Sequence, residues 1–162
     1  MENYTVVRTD NLAGIVDGSK LRSVRFYNDG EVAAIENGAV VSIEGIEEGT
    51  RDIRKAVAPT ANQKLGALAL IASPEIVYES TYAGLNEFVN EAGEAALAYI
   101  LCSNDEFSVT AEGFDGAPKV DAYVGAGADT KWKVLDDKTD AIGKIIAVEA
   151  EGGYTYYVIH IN

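Results

Sequence analysis

The sequence is poor in the side chains on which most enzymes and metal sites depend. Among its 162 residues there is one cysteine, Cys102, and one histidine, His160. A single cysteine cannot form an intrachain disulfide, which fits synthesis in a reducing cytoplasm. One cysteine and one histidine are also too few for the usual four-ligand zinc site. No metal and no cofactor is therefore predicted.

Neither of these two side chains has a catalytic partner close by in the sequence. His160 lies in the alternating run Tyr154–Ile161, where a residue facing solvent or an interface is the simpler interpretation. Cys102 ends an apolar run, and the acidic Asp105 and Glu106 that follow would disfavour a thiolate, so we interpret it as a small buried hydrophobe. No catalytic residue is predicted, and we expect that the protein is not an enzyme.

Carboxylate and glycine clusters are the remaining candidates for chemistry. Glu47-Glu48 and the Asp136–Asp140 stretch could bind a hard cation only weakly, and the latter lacks the ligand spacing of an EF-hand. Gly125 and Gly127 fall short of a full phosphate-binding fingerprint. A pair of carboxylates brought together in space for glycoside hydrolysis stays open, which keeps a small hydrolase as a third class of function.

Positive charge and long apolar runs are also scarce. The chain carries 13 basic and 26 acidic residues, a formal net charge of −13. Such a surface repels phosphate backbones and anionic membranes. The N-terminus lacks the basic and apolar regions of a signal peptide, and the longest apolar run, Leu65–Ala72, is far shorter than the roughly 20 residues that span a bilayer. We expect a soluble protein with no nucleic-acid or membrane partner.

The residues that are abundant favour strands. Nine tyrosines occur alongside many valines and isoleucines, and 16 glycines but only three prolines indicate many tight turns. Short strand-like runs recur at a spacing of about 8–12 residues, which is typical of a barrel or sandwich. The predicted class is mainly β, a β-barrel or β-sandwich-like fold with one short helix, and α+β is the second choice.

Turn signals locate the candidate strands. Asn28-Asp29-Gly30 predicts a hairpin over Leu21–Ile35, and Gly152-Gly153 predicts a second hairpin at the C-terminus. The run Leu65–Ala72 fits either a buried strand or a short helix. The other predicted strands are Tyr4–Arg8, Ala39–Ile43, Arg51–Pro59, Ile76–Tyr78, Ala96–Cys102, Glu106–Ala111, Lys119–Val124, Lys131–Leu135, Ile142–Glu149 and Tyr154–Ile161.

One stretch, Leu85–Ala92, has a helical pattern. Its apolar residues recur at intervals of three and four, and Gly93 is a suitable C-cap, so we predict a short helix that packs on the sheet. We divide the chain into residues 1–36, an N-terminal extension or strand pair, and residues 37–162, a compact β-rich domain.

Residues 37–162 contain several stretches that resemble one known family. In order, they are Asn37–Val41, Leu65–Glu75, Leu85–Gly93 followed by Ala96–Leu101, and Ile142–Glu149 followed by the final aromatic strand. Together these stretches resemble the small head decoration (auxiliary capsid) proteins of tailed bacteriophages, over about three-quarters of the chain.

The resemblance implies a structural protein of the virion. Such a protein is made in the host cytoplasm, binds the exterior of an assembled capsid and stabilises it. Its partner is the major capsid protein, and it acts as a homo-oligomer, with a trimer favoured. A carbohydrate- or receptor-binding surface module is the alternative function.

Residues 1–36 match the family least and are a candidate arm that lies along the capsid. An arm of this kind binds by adding a strand to an exposed sheet edge. Aromatic residues and arginine are enriched at the centres of protein interfaces. The candidate capsid-interface residues are therefore Tyr4, Val6, Arg8, Arg25, Phe26 and Tyr27. The alternative interpretation, that they are ordinary core and surface residues of a small sheet, stays equally open.

Overall fold

A computed structural model describes residues 3–12, 18–76 and 84–162. It is mainly β, with 45% of residues in strands and 6% helical, which confirms the predicted class. The strands in the described ranges are β1 Leu21–Asn28, β2 Glu31–Val32, β3 Val40–Ile46, β4 Ile53–Val57, β5 Leu68–Ile71, β6 Ala96–Ile100, β7 Glu106–Thr110, β8 Phe114–Asp115, β9 Tyr123–Ala126, β10 Trp132–Leu135, β11 Gly143–Glu151 and β12 Tyr154–Ile161.

The first sheet closes into a five-stranded barrel. Its order is β2-β1-β4-β3-β5-β6, and β6 pairs back with β1 to complete the ring. The pairing of β1 with β4 is parallel, and the other pairings in this sheet are antiparallel. The predicted hairpin at Asp29-Gly30 is confirmed, because β1 and β2 pair on either side of that turn.

Small side chains fill the barrel. Five strands enclose a narrow interior, and large residues would not fit in every layer. Half of the ten buried residues in this cluster are alanines. The cluster consists of Val24, Phe26, Ile35, Ala39, Val41, Ala56, Ala69, Ile71, Ala96 and Ala98.

The second sheet packs against the outside of the barrel through β5. Its order is β7-β12-β11-β9-β10-β8. Alternate residues of β5 point to opposite faces: Ala69 and Ile71 enter the barrel, whereas Leu68 and Leu70 belong to the core of the second sheet. Within the run Leu65–Ala72, Leu68–Ile71 is thus a strand buried on both faces, which is the first of the two predicted alternatives, while Gly66 and Ala67 are exposed before it.

The N-terminal segment is built into the second sheet. Val7 forms a β-bridge with Val109 of β7, and the amide of Arg8 donates to the carbonyl of Ser108 at 2.9 Å. Thr5, Val6 and Val7 are all buried. This segment covers the outer edge of β7. Since β1 is one of the five barrel strands, the described part of residues 1–36 belongs to both sheets.

The predicted helix at Leu85–Ala92 is wrong. Only Leu85–Glu87 forms a turn of 3-10 helix, and Phe88 is already extended. A stretch this short gains too little from its own hydrogen bonds to stay helical in isolation. Instead, Asn90 forms a bridge with Ile35, and its side chain donates to the Ile35 carbonyl at 2.9 Å. Backbone pairing with a distant segment outweighs the local helical pattern.

A smaller difference concerns the predicted strand Ile76–Tyr78. Ile76 is exposed and lies outside any strand, and the two residues after it fall outside the described ranges.

Candidate functional site

The C-terminal hairpin of β11 and β12 extends beyond the strand beside it. Gly152 and Gly153 adopt positive φ angles of 59° and 87°, which a two-residue hairpin turn requires. β11 pairs with β12 along its full length, from Gly143 to Glu151. On its other side, β9 pairs only with Gly143 and Lys144. In the described structure, no strand pairs with that side of β11 beyond its start.

The register of the hairpin determines which backbone groups face the uncovered side. Across a two-residue turn, Glu151 and Tyr154 exchange hydrogen bonds with each other, and the pairs alternate from there. Ala147 and Glu149 therefore bond to β12, whereas Val148 and Ala150 direct their amide and carbonyl groups away from it. The amide and carbonyl groups of Val148 and Ala150 therefore face outward, at the alternate positions with which a neighbouring strand would pair.

The side chains along this stretch are unusually apolar for an exposed surface. Ile146 and Val148 are each 44% exposed, and Ala147 and Ala150 are also exposed. A β-bulge between Ile145 and Ala147 shifts the register, so Ile146 turns outward while Ile145 stays in the core. We call Ile146–Glu151 the β11 edge. An uncovered strand with exposed apolar side chains is a template for pairing with another chain.

Two carboxylates lie on the outer face of the β11 edge. Glu149 accepts a hydrogen bond from the Ser108 hydroxyl at 2.7 Å and lies 3.2 Å from the Arg8 guanidinium. Arg8 also pairs with Asp10 at 2.8 Å and lies over the Tyr156 ring. Glu151 is exposed at the end of the strand. The edge therefore combines apolar side chains with negative charge.

A second polar cluster lies on the outside of the barrel. Arg25 and Tyr27 of β1 point the same way and both contact the carboxylate of the buried Glu47. The hydrogen bond from Tyr27 and the ion pair with Arg25 hold the pKa of Glu47 below its ordinary value, and the same carboxylate raises the pKa of Tyr27. Arg25 also donates to the Gly93 carbonyl at 2.8 Å. This cluster fixes the loop after β3 to β1.

A shallow cavity of about 300 Å³ opens beside Tyr27. Lys55 lies over the Tyr27 ring, with its ammonium nitrogen 5.2 Å from the ring centre. Asn28, Asp29 and Glu44 supply further polar groups to the cavity wall.

The structure does not bring the six predicted interface residues together. Val6 and Phe26 are buried, the latter in the barrel core. Tyr4 is half-buried and shares a cavity of about 210 Å³ with Phe26. The others lie in the clusters described above, Arg8 near the β11 edge, and Arg25 and Tyr27 at Glu47.

Sequence reasoning missed both Glu47 and the β11 edge. From the sequence, Glu47 was considered only as half of a weak cation-binding pair with Glu48, although Arg25 and Tyr27 share one face of a strand and offer it two donors. No signal in the sequence marks the edge, because the pattern of Ile142–Glu149 does not tell how few of its residues β9 covers.

His160 and Cys102 each lie beside an acidic residue. The His160 imidazole hydrogen-bonds to the Glu106 carboxylate at 3.1 Å across neighbouring strands. Cys102 is half-buried, and its amide donates to Asp105, which itself pairs with Lys20. Within the described ranges, no three or more Cys, His, Asp and Glu side chains are grouped so as to hold a metal ion. None of the helices in those ranges has the length and apolarity to cross a membrane.

Comparison with known proteins gives no match. No protein-family model, no curated protein and no solved structure matches the chain. Its function must therefore be inferred from its residues and their geometry.

Proposed function

We propose that this chain is a structural, non-enzymatic virion protein that binds the outer surface of an assembled phage capsid and stabilises it. The resemblance of residues 37–162 to head decoration proteins supports the capsid as partner. The observation that carries a binding role is the β11 edge, where exposed Ile146 and Val148 coincide with backbone groups that pair with no strand of the described structure.

The chemistry of this edge favours a protein partner over a small molecule. The outward amide and carbonyl groups of Val148 and Ala150 have the spacing of a β-ladder, which another extended chain matches along its length. Exposed Ile146 and Val148 gain from burial, and about 25 cal/mol is recovered for each Å² of apolar surface removed from water. Charged side chains are one way in which proteins protect an edge, so Glu149 and Glu151 leave this edge open mainly to chains that do not carry the same charge.

Many copies acting together would account for stabilisation of a shell. Each copy contributes a modest contact area, and attachment at several points raises the overall strength of binding far above that of one contact. The net charge of −13 keeps the free protein soluble at the high concentration that decoration requires. We propose a homo-oligomer, with a trimer favoured, on the exterior of the virion.

The experiment that tests this function is co-sedimentation with undecorated shells. Shells are assembled from the major capsid protein of the genome that encodes this chain, and purified, folded protein is added. Protein that pellets with the shells, saturates at a fixed ratio to capsid subunits and raises the temperature of shell disruption supports the proposal. Folded protein that stays in the supernatant contradicts it.

A carbohydrate-binding role is the second candidate, and the cavity beside Tyr27 is the observation that favours it. An aromatic ring flanked by Asn28, Asp29 and Glu44 has the groups that sugar recognition uses. However, Lys55 already lies over that ring, and a stacked sugar would have to displace it. A glycan array separates the two roles, because only the carbohydrate-binding role predicts binding there.

A further inference from the structure

The β11 edge also indicates what kind of strand it accepts. In a strand paired beside β11, alternate side chains face Val148 and Ala150 on one face of the sheet and Glu149 and Glu151 on the other. Apolar side chains suit the first face, because Val148 is exposed there. Lysine or arginine suits the second face, because opposite charges on neighbouring strands stabilise the pairing. Exposed Glu151 contributes most of this attraction, since Glu149 already pairs with Arg8.

A second copy of this chain is a poor occupant. Two β11 edges pair antiparallel about a two-fold axis in three registers. Centred on Glu149, the two Glu149 side chains lie directly opposite each other, and centred on Ala150, Glu149 lies opposite Glu151 twice. Like charges placed directly opposite destabilise a sheet, and Arg8 beside each Glu149 offsets only part of this repulsion. Each copy also carries a net charge of −13.

The third register, centred on Val148, is blocked by the chain itself. It places Glu151 of one copy beside Ile145 of the other. The backbone of Ile145 is already occupied, since it accepts from the Asp121 amide and donates to the Ala122 carbonyl, both at 2.9 Å. The hairpin turn of the second copy would overlap this segment. Charge and space therefore both disfavour self-pairing.

We propose that the β11 edge receives an extended segment of the capsid partner in which Lys or Arg alternates with apolar residues. The basic residues lie opposite Glu149 and Glu151, and the apolar residues lie opposite Val148 and Ala150. This inference rests on the proposed function for the identity of the partner, but the chemistry of the strand follows from the edge alone.

The test uses a synthetic peptide, so that its outcome is independent of any capsid. An end-capped peptide of about eight alternating Lys and Val residues, a usual strand length, is titrated into the full chain. Binding is followed by NMR, with hydrogen exchange measured at single amides. The control peptide has Glu in place of every Lys. We expect the basic peptide to slow exchange at the Val148 and Ala150 amides and the acidic peptide to leave it unchanged.

A charge-reversed variant tests the assigned face. Glu151 is exposed, so the Glu151→Lys variant should fold normally. It should bind the basic peptide about fivefold more weakly, because one cross-strand attraction becomes a repulsion. Glu48→Lys, another exposed carboxylate, is the matched control and should bind as the parent does.

Three results overturn the inference. They are equal protection by both peptides, protection that spares Val148 and Ala150, and protection of these amides by the free protein at high concentration, which would identify a second copy as the occupant. A chain that binds the basic peptide but no shells refutes the capsid role alone. A chain that binds shells but not the peptide refutes the strand inference alone.

Discussion

Thr5 occupies the space that a side chain on Gly38 would need: a methyl group at Gly38 would lie 2.6 Å from Cγ2 of Thr5. Gly113 meets the same methyl group from the other side, at 2.7 Å. The N-terminal segment thus lies in a slot that exists because two positions lack a side chain. This explains why a segment outside the regular strands is buried.

Replacing Gly38 should therefore cost more than replacing a glycine of similar backbone geometry elsewhere. Gly38 and Gly30 have φ angles of 81° and 86°, but only Gly38 has neighbours within reach. We expect Gly30→Ala to lower the free energy of unfolding by about 1–2 kcal/mol, the cost of the backbone conformation. Gly38→Ala should lower it by about 2–4 kcal/mol, because overpacking is added.

Urea denaturation of the two variants measures this difference. Equal losses for Gly38→Ala and Gly30→Ala would show that the N-terminal segment does not occupy the slot.

The two cores should unfold together because β5 contributes to both. Leu70→Ala removes a fully buried side chain from the core of the second sheet and should cost about 2–5 kcal/mol. Leu85→Ala, at an exposed position, should change stability by less than about 0.5 kcal/mol. Chemical denaturation followed by far-ultraviolet circular dichroism and by Trp132 fluorescence should give coincident transitions. Separate transitions for Leu70→Ala would contradict a shared core.

The Glu47 cluster predicts a specific dependence on acid. Because the pKa of Glu47 is lower in the folded than in the unfolded state, its contribution to stability is present above the unfolded pKa. It is lost as the pH falls through the folded value. Glu47→Gln should lower the melting temperature at neutral pH, and its difference from the parent should shrink in acid below the ordinary carboxylate range.

Thermal melts of parent and variant across this range provide the measurement. Glu48→Gln, at the exposed neighbouring position, controls for the general loss of negative charge. A difference between Glu47→Gln and the parent that does not change with pH would refute the assigned role of the ionised carboxylate.

Two alanine-to-proline substitutions in β11 test which side of the strand is uncovered, because proline removes the backbone amide donor. Ala147 and Ala150 are both exposed, but the Ala147 amide faces β12 and the Ala150 amide faces the uncovered side. Ala150→Pro should cost less than about 1 kcal/mol, since proline is tolerated where the missing donor faces solvent. Ala147→Pro should cost about 1–3 kcal/mol more, because it leaves a carbonyl of β12 without its donor.

Equilibrium unfolding of this pair checks which side of the strand is uncovered. If Ala150→Pro lowered stability more than Ala147→Pro, the Ala150 amide would be the one that bonds to β12, which contradicts the assigned register.

Local signals predicted the parts of the fold that depend on neighbouring residues. Gly152-Gly153 and Asp29-Gly30 marked their hairpins because turn geometry is set within four residues. The helix at Leu85–Ala92 failed because its pattern ignored a partner 55 residues away in sequence, the Ile35 carbonyl that the Asn90 side chain binds. The spacing of apolar residues within one segment carries no information on a partner so distant in the sequence.

The strand pairings that close the barrel could not be predicted for the same reason, although a barrel was one of the two predicted architectures. β1 lies in parallel beside β4 and antiparallel beside β6, and nothing in Leu21–Asn28 specifies either neighbour. The six proposed interface residues were chosen by residue type, which does not separate a buried Phe26 from a surface anchor. The β11 edge became visible only once the short length of β9 was known.

Binding of three proteins to undecorated shells tests the central claim most directly: the parent, Val148→Lys and Ile46→Lys. Both substitutions place a lysine at a similarly exposed apolar position, 44% for Val148 and 49% for Ile46, but only Val148 lies on the β11 edge. We predict that the parent and Ile46→Lys co-sediment with shells at the same saturating ratio, while Val148→Lys binds at least about tenfold more weakly, as for loss of an interface anchor. Equal binding by all three would contradict the edge as the contact surface, and folded parent protein that never pellets with shells would contradict the capsid-binding function itself.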